Sequence, residues 1–317
     1  MVKRRGGAER GIALLATMLA IALMTLLVVD FATTVTLGYR SAQNQADELK
    51  ASYLARSAIG VGLGLLEQDS FRDSLNPLPY DALNEPWAQT IPPIPLGGGT
   101  VTVQIVDEAR KLNINDLFDP QMHAVNPQKE QILGRLLEVL NISSNVVPEL
   151  EDWLDPDSLE SPGGAEAAYY LQLKPPLEPR NGPMPTIGDL RALKGMDDLT
   201  FLRLASYLTV SQESGININT AAPELIMALR PEFADNPQLV KEIVTLRMLR
   251  PFTNITDVGN LPGVGQFITD ISSLLTTRSN YFTIIGQGDF AGARRRVYAT
   301  FQRDSNGSAS LTAWHED

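Results

Sequence analysis

The stretch "IALLATMLAIALMTLLVV", residues 12–29, runs for 18 residues without a charge. At 1.5 Å per residue a helix of this length reaches nearly across a hydrocarbon core of ~30 Å. Lys3, Arg4, Arg5 and Arg10 precede it, which orients the basic end toward the cytoplasm and sends the remainder across. The run exceeds the roughly 7 to 15 apolar residues of a removable secretory signal, so the sequence predicts a segment that stays with the protein. No proline follows until Pro77, and Leu54, Ala58, Val61 and Leu65 recur at helical spacing, a candidate buried stripe. The expectation is one helix over 12–70, lipid-embedded in its first part (12–29) and packed on a soluble domain in its second.

Charge divides the chain sharply. Without residues 1–11, the remainder carries 22 basic against 36 acidic side chains, a net of −14. A chain this acidic repels nucleic acid and anionic lipid headgroups rather than gathering them. The absence of cysteine removes disulfides, zinc–thiolate sites and thiol nucleophiles.

Residues 71–99 are rich in Pro and Gly and read as loop. "TVTVQIVDE" alternates apolar and polar residues as a half-buried strand, "YFTIIGQ" and "RRRVYATFQRD" read the same way, and "SNGS" at 305–308 signals a hairpin into "LTAW". Strands thus fall at 71–112 and 281–317, on either side of a helical middle at 113–280. The predicted fold is α+β: a long N-terminal transmembrane and amphipathic helix on a small antiparallel sheet, with a large all-α insertion.

The insertion repeats itself. "LNIN" at 112–115 returns as "ININ" at 216–219, and "DLRALKGM" at 189–196 returns as "DVGNLPGV" at 257–264. Two related units follow, 113–210 and 211–280, here read as helix-turn-helix, SAM-like units. The first copy is longer by about 36 residues, assigned to an acidic loop at 146–185. Glu149, Glu151, Asp152, Asp155, Asp157, Glu160 and Glu166 place seven acids within 18 residues, and no Lys or Arg occurs from Leu136 to Leu173. Carboxylates this dense need solvent or a cation. Ca²⁺, which takes 6–8 oxygens from flexible loops, is one reading; a solvated acidic loop is the other.

Other motifs yield no chemistry. "LPGVG" at 261–265 is the turn of helix-hairpin-helix DNA-binding units, yet its copy reads "LKGMDD", with aspartates where phosphate would sit, so a structural turn glycine is the better reading. "GVGLG" and "GGGTVTV" lack the context of a phosphate cradle, and His123 and His315 have no partner spacing. No catalytic constellation emerges, and an enzyme is not expected.

Taken together, "ERG" before "IALLATML", "DEARKLNIN", "DWLDPD", "GGAEAAYY", "LKPPLEPRNGPM" and "GININTAAPELI" resemble the GspK-type minor pseudopilins of type II secretion across nearly the whole chain. The resemblance implies a prepilin leader, 1–11, cut between Gly11 and Ile12 by prepilin peptidase, with the new N-terminus methylated and the helix retained. It implies an inner-membrane protein, single-pass, with its C-terminal domain in the periplasm, partnered by I-type and J-type minor pseudopilins and the inner-membrane platform of the secretion system, with no nucleic-acid role. It implies Ca²⁺ held by Asp152, Asp155, Asp157 and Glu166. Ordinary pilins carry glutamate as the fifth mature residue, where this chain has Ala16. A carboxylate there costs about 2.5–3.5 kcal/mol in lipid unless it meets the terminal ammonium of the subunit above. A subunit with nothing above it meets none, so Ala16 marks a filament tip. The rival readings are a minor pilin of a type IV pilus and a membrane-anchored DNA-uptake protein using "LPGVG".

Overall fold

The structure, a computed structural model, describes residues 6–213, 215–304 and 307–317, with side chains from Gly11 on. Lys3, Arg4 and Arg5 of the leader, and Ser305 and Asn306 of the expected hairpin turn, lie outside the described residues.

Helix α1, Gly6–Leu75, runs unbroken for 70 residues, longer at both ends than the expected 12–70. Residues 12–29 are exposed throughout, as a lipid-facing segment requires. Its hydroxyls are satisfied within the helix: Thr17 donates to the Leu14 carbonyl at 2.9 Å and Thr25 to that of Ile21 at 2.8 Å, as Thr33, just beyond the segment, does to Val29 at 2.8 Å.

The second half of α1 lies on a five-stranded antiparallel sheet. Its strands are β1 (Ile94–Leu96), β2 (Gly99–Asp107), β3 (Tyr281–Phe290), β4 (Ala293–Arg303) and β5 (Ala309–Glu316), in spatial order β1-β2-β3-β4-β5. The buried line on α1 is Ala51, Leu54, Ala55, Ala58, Ile59 and Leu66. This corrects the expected stripe, because Val61 is 41% exposed and Leu65 is half-buried. Three alanines bring the helix backbone down onto glycines of β3, and that close approach, not side-chain size, selects the face. Val101, Val103, Ile105, Phe282, Ile284, Val297 and Ala299 fill the layer beneath, with Trp87 set edge-on to Phe282 at 5.2 Å. Burial of each large apolar side chain contributes ~1.5–3 kcal/mol.

Strands β2 and β3 are hydrogen-bonded neighbours, in register from Thr100↔Asp289 to Asp107↔Phe282, yet residues 108–280 separate them in the chain. That insertion is helical: α2 (Pro127–Val139), α3 (Val146–Leu154), α4 (Ala167–Tyr170), α5 (Asp198–Leu204), α6 (Pro223–Leu229), α7 (Pro231–Asp235), α8 (Pro237–Leu249), α9 (Ile255–Gly259) and α10 (Gly265–Ile271). The sequence repeat has a local physical basis. Leu112–Asn113 pairs in parallel with Leu208–Thr209, and Ile216–Asn217 pairs in parallel with Leu275–Thr276. In each opening motif the Asn side chain accepts from the backbone N–H two residues on, Asn113 from Asn115 and Asn217 from Asn219. In each closing motif the glycine is left-handed, Gly195 at φ +75 and Gly263 at φ +81. The two copies nevertheless share one hydrophobic core, from Leu133, Leu136 and Leu150 through Leu208 and Ile216 to Phe233 and Phe267.

The acidic segment is not loop throughout. Its first nine residues form α3, whose Val146, Leu150, Trp153 and Leu154 are buried in that core. Spaced at i, i+4, i+7 and i+8, they make one apolar helix face, a pattern masked in the sequence by the acids between them.

Candidate metal centre

Helix α3 ends at Leu154, and the backbone of Asp155, its C-cap, turns extended and leads into the irregular stretch before α4. Glu151 stands one turn earlier on the same helix, so the helix end and the turn after it deliver acids to one place. Asp155, Asp157 and Glu166 each offer a carboxylate oxygen, and these oxygens lie within 4.8 Å of one another. Ligands around one Ca²⁺ at ~2.3–2.6 Å have such separations.

The cluster is incompletely compensated. Asp155 Oδ1, both oxygens of Glu166 and Glu151 Oε1 are buried without a hydrogen-bond partner, and so is the amide oxygen of Asn181. Glu166 is only 3% exposed. Burial pushes the Glu151 carboxyl up to about 7, with Glu130 and Asp152 adding to it. Burial likewise raises Asp155 to about 6, assisted by Asp157 and Asp152. Glu166 is raised by burial and then by Asp155 and Asp152. An unpaired buried carboxylate costs several kcal/mol, and a hard cation bound among the oxygens of Asp155, Asp157 and Glu166 would remove that cost. The donor set, all oxygen and mostly anionic, suits Ca²⁺ and not a soft metal.

The four residues expected to bind do not all meet. Asp155, Asp157 and Glu166 come together, whereas Asp152 is fully buried and accepts from the Ser161 N–H with both oxygens, at 3.1 Å. Asp152 folds the loop: Gly164 passes so near that an added Cβ would stand 2.0 Å from Asp152 Oδ2. Glu149 faces away, toward Lys194, while Glu160 is exposed. Asn181 was not singled out by sequence reasoning. Its side-chain N–H donates to the Asp157 carbonyl, and it sits at φ +46. The signal for it was the Asn-Gly pair in "EPRNGPM", a left-handed turn beside an acidic segment.

At the other end of the molecule, Gly11, Ile12 and Ala16 lie exposed on α1, with open space around Gly11. The "LPGVG" turn links α9 to α10, and Val264 within it is buried in the helical core.

Comparison with known proteins finds similar chains. Two family models, both described as type II secretion system (T2SS), protein K, match residues 110–213 and 216–278. A Pseudomonas aeruginosa type II secretion system protein K is 27% identical over 319 residues, covering 98% of this chain and 93% of that protein. The Klebsiella pneumoniae protein K is 31% identical over 235 residues, or 70% of this chain and 71% of the relative. A chain of the crystal structure of the GspK-GspI-GspJ complex from enterotoxigenic Escherichia coli shares the fold, with a TM-score of 0.73 and 20% identity over 87% of this chain and 99% of that one.

Proposed function

Since this chain belongs to the type II secretion system protein K family and is a minor pseudopilin of that system, we propose that it caps the tip of the periplasmic pseudopilus and helps start its assembly. The observation that carries this reading is the placement of the insertion. Residues 108–280 emerge between two adjacent strands of a small sheet, a bulk that a tight helical lattice of repeated subunits has no room to accommodate, whereas one copy at the end does. Ala16, uncharged where a lattice contact to the subunit above would need a carboxylate, supports the same position. The rival readings as a type IV minor pilin or a DNA-uptake protein are not favoured by these family matches.

Several finer assignments belong to this reading. The two helical units are SAM-like. Prepilin peptidase cuts between Gly11 and Ile12, the new N-terminus is methylated, and the inner-membrane platform receives the subunit. The head lies in the periplasm, held by one membrane-spanning segment. The partners are I-type and J-type minor pseudopilins, since the solved relative was crystallised with GspI and GspJ. The protein is a structural component and not an enzyme. Asp155, Asp157 and Glu166, with Glu151 and Asn181, would hold Ca²⁺, which would tie the end of α3 to α4.

The chain has no cysteine, so Leu49→Cys, at an exposed position of α1, gives one label site. Gold labelling of assembled filaments should mark one end, and cross-linking should capture the two minor partners. Label distributed along the shaft would overturn the tip assignment.

A further inference from the structure

A second group of acids lies away from the loop site, where the C-terminal end of α1 meets the sheet. Asp69, Asp81 and Glu85 each offer a carboxylate oxygen, all within 4.8 Å of one another. Asp69 comes from α1, Asp81 and Glu85 from the irregular segment that follows it. Beside them stands Arg303 at the end of β4, 5% exposed.

Arg303 Nη2 donates to both oxygens of Asp81 at 2.6 Å and to the Ser279 carbonyl at 2.8 Å, while Nη1 donates to Asp69 Oδ2 at 3.2 Å. Asp81 Oδ2 also accepts from Ser279 N–H at 2.8 Å. Glu85 Oε2 accepts from Ala82 N–H at 2.8 Å and from Trp87 Nε1 at 3.1 Å. Asp73 adds a fourth carboxylate 4.0 Å from Arg303, and Arg278 reaches Asp73 from the surface at 3.4 Å. One buried guanidinium and one half-exposed one therefore face four carboxylates.

The imbalance falls on one atom. Asp69 is 2% exposed, and its Oδ1 has no hydrogen-bond partner. A cavity of about 300 Å³ opens beside the group, lined by Arg72, Asp73, Asn76, Tyr80, Asn84 and Glu85, among others. Glu85 is the member of the group that lines it, so the cavity opens the cluster to solvent on that side. Asp69 Oδ2 is paired with Arg303, so what is left over is one buried acceptor and the excess negative charge of four carboxylates over two guanidiniums; buried charge that is not balanced is costly, and a bound cation would meet it.

We propose that Asp69, Asp81 and Glu85 form a second site for a hard divalent cation of the Ca²⁺ type, entered from the adjoining cavity and pinning the end of α1 to the segment after it. Arg303 holds Asp81 and Asp69 in place, and the ion takes the remaining charge. The site is independent of the acidic loop. It sits at the junction of assembly helix and head, so its occupancy stiffens the joint through which the head is carried on the filament.

Trp87 reports on it directly, because its indole N–H binds Glu85. The test uses the full chain in detergent, carrying Asp155→Asn, Asp157→Asn and Glu166→Gln to disable the loop site. Tb³⁺ is titrated with tryptophan excitation. Expected are luminescence saturating at one equivalent, displacement by Ca²⁺, and loss of the signal in Trp87→Phe and in Glu85→Gln. Glu85→Gln leaves the Arg303 pairs intact, and circular dichroism verifies that each variant is folded. A folded triple variant with no sensitised luminescence overturns the proposal. So does a signal that Glu85→Gln leaves unchanged, or an unfolding midpoint that responds to pH but not to Ca²⁺, which would assign the surplus charge to protons.

Discussion

Gly288 on β3 lies directly against the backbone of Ala51 on α1: a Cβ at Gly288 would stand 2.1 Å from the Ala51 carbonyl oxygen. No side-chain rearrangement can relieve a clash with backbone, so the helix must lift. Gly288→Val is expected to destabilise the head by about 3 kcal/mol, at the upper end of overpacking effects. Urea unfolding of the detergent-solubilised chain measures it, and a midpoint within error of wild type would contradict this packing.

Calcium should stabilise the protein by mass action. At one hundred times the dissociation constant a single site gives about 2.7 kcal/mol, which thermal unfolding with Ca²⁺ against chelator resolves. In Asp155→Asn/Glu166→Gln the loop site's share of that shift should vanish. Full retention would exclude the loop as a site.

Gly164→Ala should act on the same loop from the other side. Its methyl displaces Asp152, which releases the Ser161 N–H and loosens the turn between α3 and α4. Calcium affinity is expected to fall at least tenfold while the helical content by circular dichroism stays unchanged; unaltered affinity would separate Asp152 from the metal loop.

Stability should fall between about pH 4 and pH 7 through Asp107. Burial pushes this carboxyl up to about 7 from an ordinary 3.8, although Thr220 Oγ1 and Asn217 Nδ2 donate to its Oδ2. In that window the folded chain holds a proton that the unfolded chain has released. The contribution is therefore complete below about 3.8 and lost as pH rises through about 7. Asp107→Asn should flatten this part of the stability profile, and an unchanged slope would assign it to other groups.

Intact mass of the native protein should lack residues 1–11 and begin at a methylated Ile12. A chain starting well beyond residue 29 would mean that α1 is discarded, and the assembly reading would fail.

What the residues determine by themselves are the features that neighbours in the chain decide. Eighteen uncharged residues behind basic ones specify a membrane-length helix wherever the rest of the chain goes. Period-two alternation marks β2, β3 and β4, and left-handed glycines at 195 and 263 close two similar turns because only local backbone geometry is involved. The acids of 149–166 were conspicuous for the same reason. The tertiary structure decided which of them meet. Asp152 left the group to hold Ser161, Asn181 entered it from beyond α4, and the stripe on α1 was set by where glycines of β3 allow close approach rather than by hydrophobic spacing. The group at Asp69, Asp81 and Glu85, with Arg303 from the far end of the chain, exists only once α1, the segment after it and β4 are folded together. Such juxtapositions depend on contacts between residues hundreds of positions apart, and on which buried charges find partners, and no local pattern encodes either.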